Sequence, residues 1–336
     1  MKKAFLLTAI LYTGALFANS NCVGYEAHFD VLFLQPNSSN LYYGAEADPL
    51  PVPTPNWKSL EIYPNFHFGF ELGGTVHCQS TNTAICLNWE RLHSHDTSSR
   101  SVPDTDMLGP YFNIGPDAEP YKNATGRVDH EFDEVNVNFK RAILCECNFE
   151  MNYFGGVVFT RIKQSMTSYF SNNAGTITKE IQSPSLFTGG GIDFGVDFDY
   201  CLGCNFSLTG ETSLSLLYGQ LTNSTLYLST TPLLAGLGIT PPNTQGTTVP
   251  NRTQVVPAIS GKLGVSYETC CSSYLVNVGF GYQVQAYIDA IQSVDMSCEV
   301  TTPPEDTQVG VYALGFRRTL SNFLLSGPYI TLDVGF

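Results

Sequence analysis

After its first segment the sequence lacks any run of about 18 apolar residues, so nothing in residues 21–336 can cross a bilayer as a helix. Charge is also scarce. Asp, Glu, Lys and Arg make up 14% of the 336 residues, against 12% aromatics, 30 Gly and 19 Pro, a balance that favours strands and turns over helices. Basic residues are the scarcer sign, 16 against 30 acids for a net charge of −14, which excludes nucleic acid as a partner. No glycine loop followed by Lys and Ser or Thr is present to cradle a phosphate, and Gly189 to Gly191 reads as the entry to a strand. No nucleophile and base stand at a recognisable spacing, so the chain is read as no enzyme, with no cofactor and no metal.

Residues 1–20 begin with Lys2 and Lys3, continue through the apolar stretch Ala4 to Phe17 and end in small residues at Ala18 and Ser20. These are the three regions of a secretory signal peptide. A lipoprotein anchor at Cys22 does not fit, because Asn21 precedes it where a small residue is needed. Residues 21–336 are then expected to form one exported domain.

What is present is alternation. Tyr25, Ala27, Phe29, Val31 and Phe33 alternate with Glu26, His28, Asp30, Leu32 and Leu34, so ionisable groups go to one side only. The same period of two runs through Phe66 to Leu72, Ile85 to Glu90, Val135 to Lys140, Ile192 to Asp199, Phe206 to Tyr218, Ile259 to Glu268 and Val276 to Gln285. It closes the chain: Ile330, Leu332, Val334 and Phe336 alternate with Tyr329, Thr331, Asp333 and Gly335. A carboxy-terminal Phe on such a strand resembles the address that bacterial outer-membrane proteins present to their insertion machinery. A β-sandwich alternates too, but several runs reach the roughly 9 to 11 residues of a tilted membrane strand rather than the usual 5 or 6.

Connections give an independent signal. Links near 78–86, 140–149, 200–205 and 268–273 are short, whereas 35–60, 94–126, 163–185, 220–254 and 290–324 are long and rich in Pro, Asn, Ser and Thr. Short and long alternate, as in an outer-membrane barrel with tight periplasmic turns and large outer loops. The expected fold is all-β, an antiparallel transmembrane β-barrel of about 10 to 12 strands, the number turning on whether Val309 to Phe316 is a further strand. A narrow ten-stranded barrel could be filled by its own side chains.

The passages Leu87 to His93, Asn136 to Arg161 and Gly191 to Gly219, with Ser213-Leu214-Ser215-Leu216-Leu217-Tyr218-Gly219 inside the last, resemble the Legionella-type major outer membrane protein family. That resemblance implies a pore-forming barrel in the bacterial outer membrane passing small solutes and ions, with outer-membrane lipid as its surround. The ten cysteines are also similar to those of the major outer membrane proteins of chlamydia-like bacteria.

On this topology Cys22, Cys78, Cys86, Cys145, Cys147, Cys201, Cys204, Cys270 and Cys271 fall on the periplasmic rim, and Cys298 falls in an outer loop. An oxidising compartment favours disulfides over zinc, and the adjacent Cys270 and Cys271 cannot readily pair with each other. The ten are therefore disulfide candidates, within one barrel or in links to further copies or other envelope proteins.

Expected pore-lining groups are Glu26, Asp30, Glu71, Glu90, Asp193, Asp197, Glu211 and Glu268, with Lys140, Arg161 and Lys262 as the basic minority. The acid excess predicts a weak preference for cations. His93, His95 and Asp96 read as a solvated turn rather than a metal site. Two competing readings are a structural or adhesive surface protein anchored by the barrel, and a barrel enzyme.

Overall fold

Strict alternation gives each strand one face for lipid and one for the interior, and closure leaves no unpaired backbone edge in the hydrocarbon. The computed structural model describes residues 23–48, 56–78, 81–104, 106–110, 121–146, 148–176, 178–230, 243–271, 274–301 and 310–336. The signal-like segment 1–20 lies outside them, as do Cys22 and Cys147.

The strands are β1 (Val23–Ser38), β2 (Tyr42–Asp48), β3 (Asn56–Glu61), β4 (His67–Cys78), β5 (Thr83–Ser101), β6 (Met107–Gly109), β7 (Asn123–Glu146), β8 (Phe149–Ser171), β9 (Thr178–Gly203), β10 (Phe206–Ser229), β11 (Asn243–Thr248), β12 (Arg252–Cys271), β13 (Tyr274–Thr301) and β14 (Gly310–Gly335). Ten of them close a ring in the order β1-β4-β5-β7-β8-β9-β10-β12-β13-β14, and β14 returns to pair with β1. Every pairing is antiparallel, and β11 adds to the outer part of β10. The carboxy-terminal strand thus closes the barrel: Phe29 stands opposite Leu332 and Val31 opposite Ile330.

Lipid-facing side chains include Phe29, Phe68, Phe159, Phe194, Leu214 and Phe280, all exposed. On three neighbouring strands this apolar band stops at one level. Trp89, Val135 and Phe159 are register partners, and two residues further out come Arg91, Asp133 and Arg161, also register partners. The Arg91 Nε and Arg161 Nη1 atoms lie 3.6 Å and 3.5 Å from Asp133 carboxylate oxygens. On these three strands the change marks the end of the apolar band.

Beyond it the strands continue. The span 163–185, expected as a loop, is mostly the hairpin of β8 and β9, and 290–324 is largely the continuation of β13 and β14. Val309 to Phe316 belongs to β14 from Gly310 on rather than forming a strand of its own. The alternation there is polar on its outer face, because water replaces lipid, and so looks like loop composition.

A small sheet, β3-β2-β6, folds back over the outer end. Leu41, Tyr43, Leu60, Ile62 and Leu108 pack with Val128, Met166 and Phe170 on the inner face of β7 and β8. Glu46 of β2 accepts two hydrogen bonds from Arg100 of β5, at 2.9 and 2.8 Å.

Candidate functional site

The inward face changes character along each strand. On β1 it reads Glu26, His28, Asp30, then Leu32 and Leu34, then Ser38; on β5 it reads Asn88, Glu90, then Leu92, then Ser94 and Asp96. Repeated around the ring, this divides the lumen into an acidic chamber, an apolar layer and an outer polar layer.

The chamber is a cavity of about 320 Å³. Its mouth lies at the periplasmic end, where the side chains of Glu26 and His77 are 35% and 45% exposed, whereas Asp30 and Glu71 deeper in are 1% and 6% exposed. Its walls carry Glu26, Asp30, Glu71, Glu90, Asp193, Asp197, Glu211 and Lys262 from the expected set. Glu268, also expected there, is exposed at the periplasmic end and lies outside the cavity lining. Arg161, expected among the basic groups of the lumen, sits on the outer wall instead, with Nη1 bonded to Glu131 at 3.1 Å. The side-chain period of two places Arg161, which shares its face with Phe159; Glu268 keeps the parity of Lys262 and Ser266 but lies at the open periplasmic end of β12.

The acids are not scattered. Asp30, Glu71, Glu90 and Glu134 are direct cross-strand partners in one row across β1, β4, β5 and β7. Like charges directly opposite one another destabilise a sheet unless something compensates. Lys262 reaches across the lumen from β12 and bonds both Glu71 and, at 3.5 Å, Asp30. It also lies 5.8 Å from the centre of the Tyr329 ring. His28 lies in ion-pair contact with Asp30, Nε2 to Oδ1 at 3.1 Å, and bonds Asp333 through Nδ1. His28, Asp30 and Glu71 hold ligand-type atoms within 4.8 Å of one another, but the Lys262 ammonium already sits against both carboxylates.

The other half of the row meets neutral donors. Glu90 accepts from Gln283 and Gln285 at 3.2 and 2.6 Å, and Glu134 accepts from Thr160 and Tyr287 at 2.6 and 2.8 Å. Asp193 accepts from Ser215 at 2.7 Å and Asn138 at 3.3 Å, while Asp197 pairs with Lys140 at 2.9 Å. Glu211 lies between Asp197 and Lys262 in the strand register. Sequence reasoning did not single out Glu134, Gln283 or Gln285, and it read Tyr287 as an aromatic of the membrane interface, whereas the ring is buried inside the barrel. Glu134 does alternate with Val135 and Val137, and that inward position was the available signal.

Above the chamber, Leu32, Leu34, Leu92, Phe132, Ile162, Phe187, Leu217, Phe323 and Leu325 are buried and pack as one cluster. Phe132, Tyr287 and Phe323 meet in mutual ring contacts at centroid separations of 5.5, 6.2 and 6.3 Å. Each large apolar side chain removed from water contributes roughly 1.5–3 kcal/mol. The barrel is therefore closed by packing at this level. Over it, the buried His130 contacts Ser94 and Gln164, each at 3.2 Å.

Cys86 faces the chamber wall, where it accepts from Thr75 Oγ1 at 3.5 Å, rather than the rim as expected. Cys78 ends β4. Cys201 and Cys204 are exposed free thiols on the β9–β10 turn, which Gly203, Cys204 and Asn205 make with φ of 95°, 55° and 67°. Cys145, Cys270, Cys271 and Cys298 lie on strands by their backbone. His95 and Asp96 point to opposite faces, His95 bonding Asp129 at 2.7 Å outside and Asp96 bonding His67 at 2.8 Å inside, so they hold no common ion.

The family model described as Legionella pneumophila major outer membrane protein precursor matches residues 20–336, and the chain belongs to that family. It is a bacterial outer-membrane β-barrel. Among solved structures, it is similar to the outer membrane protease OmpT from Escherichia coli, at 11% identity, TM-score 0.45, and coverage of 93% of this chain and 96% of that one. It is also similar to the translocator domain of the autotransporter NalP from Neisseria meningitidis, at 10% identity, TM-score 0.33, and coverage of 100% and 95%. A third is a Pseudomonas aeruginosa FadL homologue, at 7% identity, TM-score 0.24, and coverage of 94% and 90%. A search of curated proteins finds no match.

Proposed function

We propose that this member of the major outer membrane protein family is a channel for passive diffusion of small hydrophilic solutes and ions, cation-preferring and gated by its apolar layer. The observation that carries this reading is the acidic chamber of about 320 Å³ lying directly beneath that layer. A barrel that served only as an anchor has no need of ionisable groups inside it, where each costs desolvation free energy. Carboxylates lining a poorly hydrated passage attract cations and repel anions. Passage requires the layer around Phe132 and Phe323 to part, so conduction is intermittent.

The test is single-channel recording of the purified protein in a planar bilayer under a salt gradient. Discrete steps with a reversal potential of cation sign support the reading; an anion sign removes the charge argument, and silence removes the channel.

The packed layer favours a second reading, a structural or adhesive surface protein. Here the barrel is an anchor, and the β3-β2-β6 sheet with the strand extensions forms the contact surface. Host-surface binding lost on deletion of β2 and β3, with conductance absent throughout, supports that alternative. Under either reading the exposure of Cys201 and Cys204 supports periplasmic disulfides with another copy or another envelope protein. Non-reducing electrophoresis of oxidised envelopes that yields only monomer counts against such cross-links.

A further inference from the structure

We infer that the chamber holds a hard divalent cation, bound between Glu90 and Glu134 with amide oxygens completing its shell. Three observations converge on it. First, Glu90 and Glu134 are direct cross-strand partners, and they continue the row whose other two members, Asp30 and Glu71, already share the ammonium of Lys262. The row carries four carboxylates, and the basic side chains that reach it, Lys262 and His28, both sit at the Asp30 and Glu71 end, so its second half lacks the compensation that its first half has.

Second, among the described residues neither Glu90 nor Glu134 has a basic side chain within ion-pair distance, and all their hydrogen bonds come from neutral donors. Two opposed carboxylates in a dry wall repel strongly, and neutral donors soften the repulsion without removing it.

Third, buried oxygens nearby have no partner of their own. The side-chain carbonyl oxygens of Asn136 and Gln283 accept no hydrogen bond, though Gln283 is 0% exposed. Asn136 lines the chamber two residues from Glu134 on the same strand, and Gln283 holds Glu90 through its Nε2. The deficit consists of acceptors, the group that a cation satisfies. Carboxylate, amide and hydroxyl oxygens without sulfur suit calcium or magnesium rather than a soft metal. The mouth at Glu26 and His77 gives access from the periplasm.

This site stands independently of conduction, since a static cation could equally brace an anchoring barrel. The test uses the barrel extracted from the outer membrane into zwitterionic detergent, with heat-modifiable migration as the check of folding. Equilibrium dialysis against radioactive calcium, repeated with magnesium in competition, is expected to show saturable binding. The double variant E90Q/E134Q is expected to bind about tenfold more weakly or less, because affinity tracks the charge of the ligand set. Glu131→Gln, on the outer wall, should leave binding unchanged.

A second reading uses unfolding temperature. Calcium should raise it in the native protein and leave the double variant unmoved, since a ligand stabilises only the state that binds it. Absence of saturable binding of either ion in the native protein overturns the inference. So does a double variant that binds as well as the native protein.

Discussion

Phe132 of β7 and Phe323 of β14 come from opposite arcs of the ring and meet with ring centroids 6.2 Å apart in the interior of the barrel. Going round the wall from β7 to β14, five strands intervene on one side and three on the other. Their contact therefore measures closure of the lumen directly.

Replacing both with serine removes two fully buried rings and adds hydroxyls that hold water. Phe→Ala changes in cores cost about 3–5 kcal/mol each, and water entering from the chamber should keep the loss at the lower end. Expected are a lower denaturant midpoint and a clear rise in open probability in planar bilayers. If the double variant is as silent as the native protein, the layer is not the barrier to conduction.

Lys262 gives the opposite kind of prediction. Removing one partner of a buried ion pair costs about 3–5 kcal/mol, because the remaining charge is left uncompensated. Lys262→Met should therefore destabilise the barrel strongly in urea. The triple variant D30N/E71Q/K262M should recover most of the loss, as the row then carries no unpaired charge at that end. A triple variant as unstable as the single one would show that the packing of the lysine stem, rather than its ammonium, matters at this position.

Outside the membrane, Arg100 and Glu46 join β5 to the folded-back sheet. The Glu46 carboxylate raises the Arg100 guanidinium above its already high ordinary value. Since Arg100 is largely exposed, the pair contributes little to global stability. Glu46→Ala should leave the barrel's unfolding midpoint within about 1 kcal/mol of native. It should nevertheless speed proteolytic cleavage between β2 and β3. Unchanged cleavage would mean that the apolar contacts of Leu41, Tyr43 and Leu60 alone hold the sheet down.

The barrel was legible because period-two alternation survives wherever one face meets lipid. Ile330, Leu332 and Val334 announce a membrane strand without help from the rest of the chain. Chamber residues such as Asp30 and Glu71 were legible for the same reason, being ionisable groups on the face opposite the lipid. The apolar layer was hidden because Leu32 and Leu34 also face inward: a strand apolar on both sides reads as continuous, and nothing local says that the ring partners bring Phe132, Phe187 and Phe323 to the same height. Arg161 was misplaced because a charged group reads as lumen-facing by its chemistry, whereas it shares the outward face of Phe159 at a level where the apolar band has already ended. Register across ten strands is a tertiary fact, and the row from Asp30 to Glu134 exists only once it is set.

His130 lies in the outer polar layer, above the Arg91, Asp133 and Arg161 level, with Ser94 and Gln164 as its partners. Burial disfavours its charged form and pushes the imidazole down to about 4 from 6.5. Groups at the same height titrate on the outer wall: Asp129, where burial raises the carboxyl but bonds from Arg127 and His95 hold it below the usual range, and Glu131, lowered chiefly by its bond from Lys163. The sign for His130 follows from linkage. Between about pH 6.5 and 4 the unfolded chain takes up a proton that the folded chain refuses, so stability falls as pH drops through that window, and the contribution is fully present only above it. The two carboxylates lose their contributions on acidification as well, but mainly in the ordinary carboxylate range and below. Hydrogen exchange in the outer parts of β7 and β8 should therefore accelerate on moving from pH 7 to 5, after correction for intrinsic rates. His130→Gln, which keeps a neutral donor and acceptor, should flatten the response over that interval. If exchange in the glutamine variant still accelerates as in the native protein, the acid sensitivity of the outer section comes from its carboxylates and His130 is a silent packing residue.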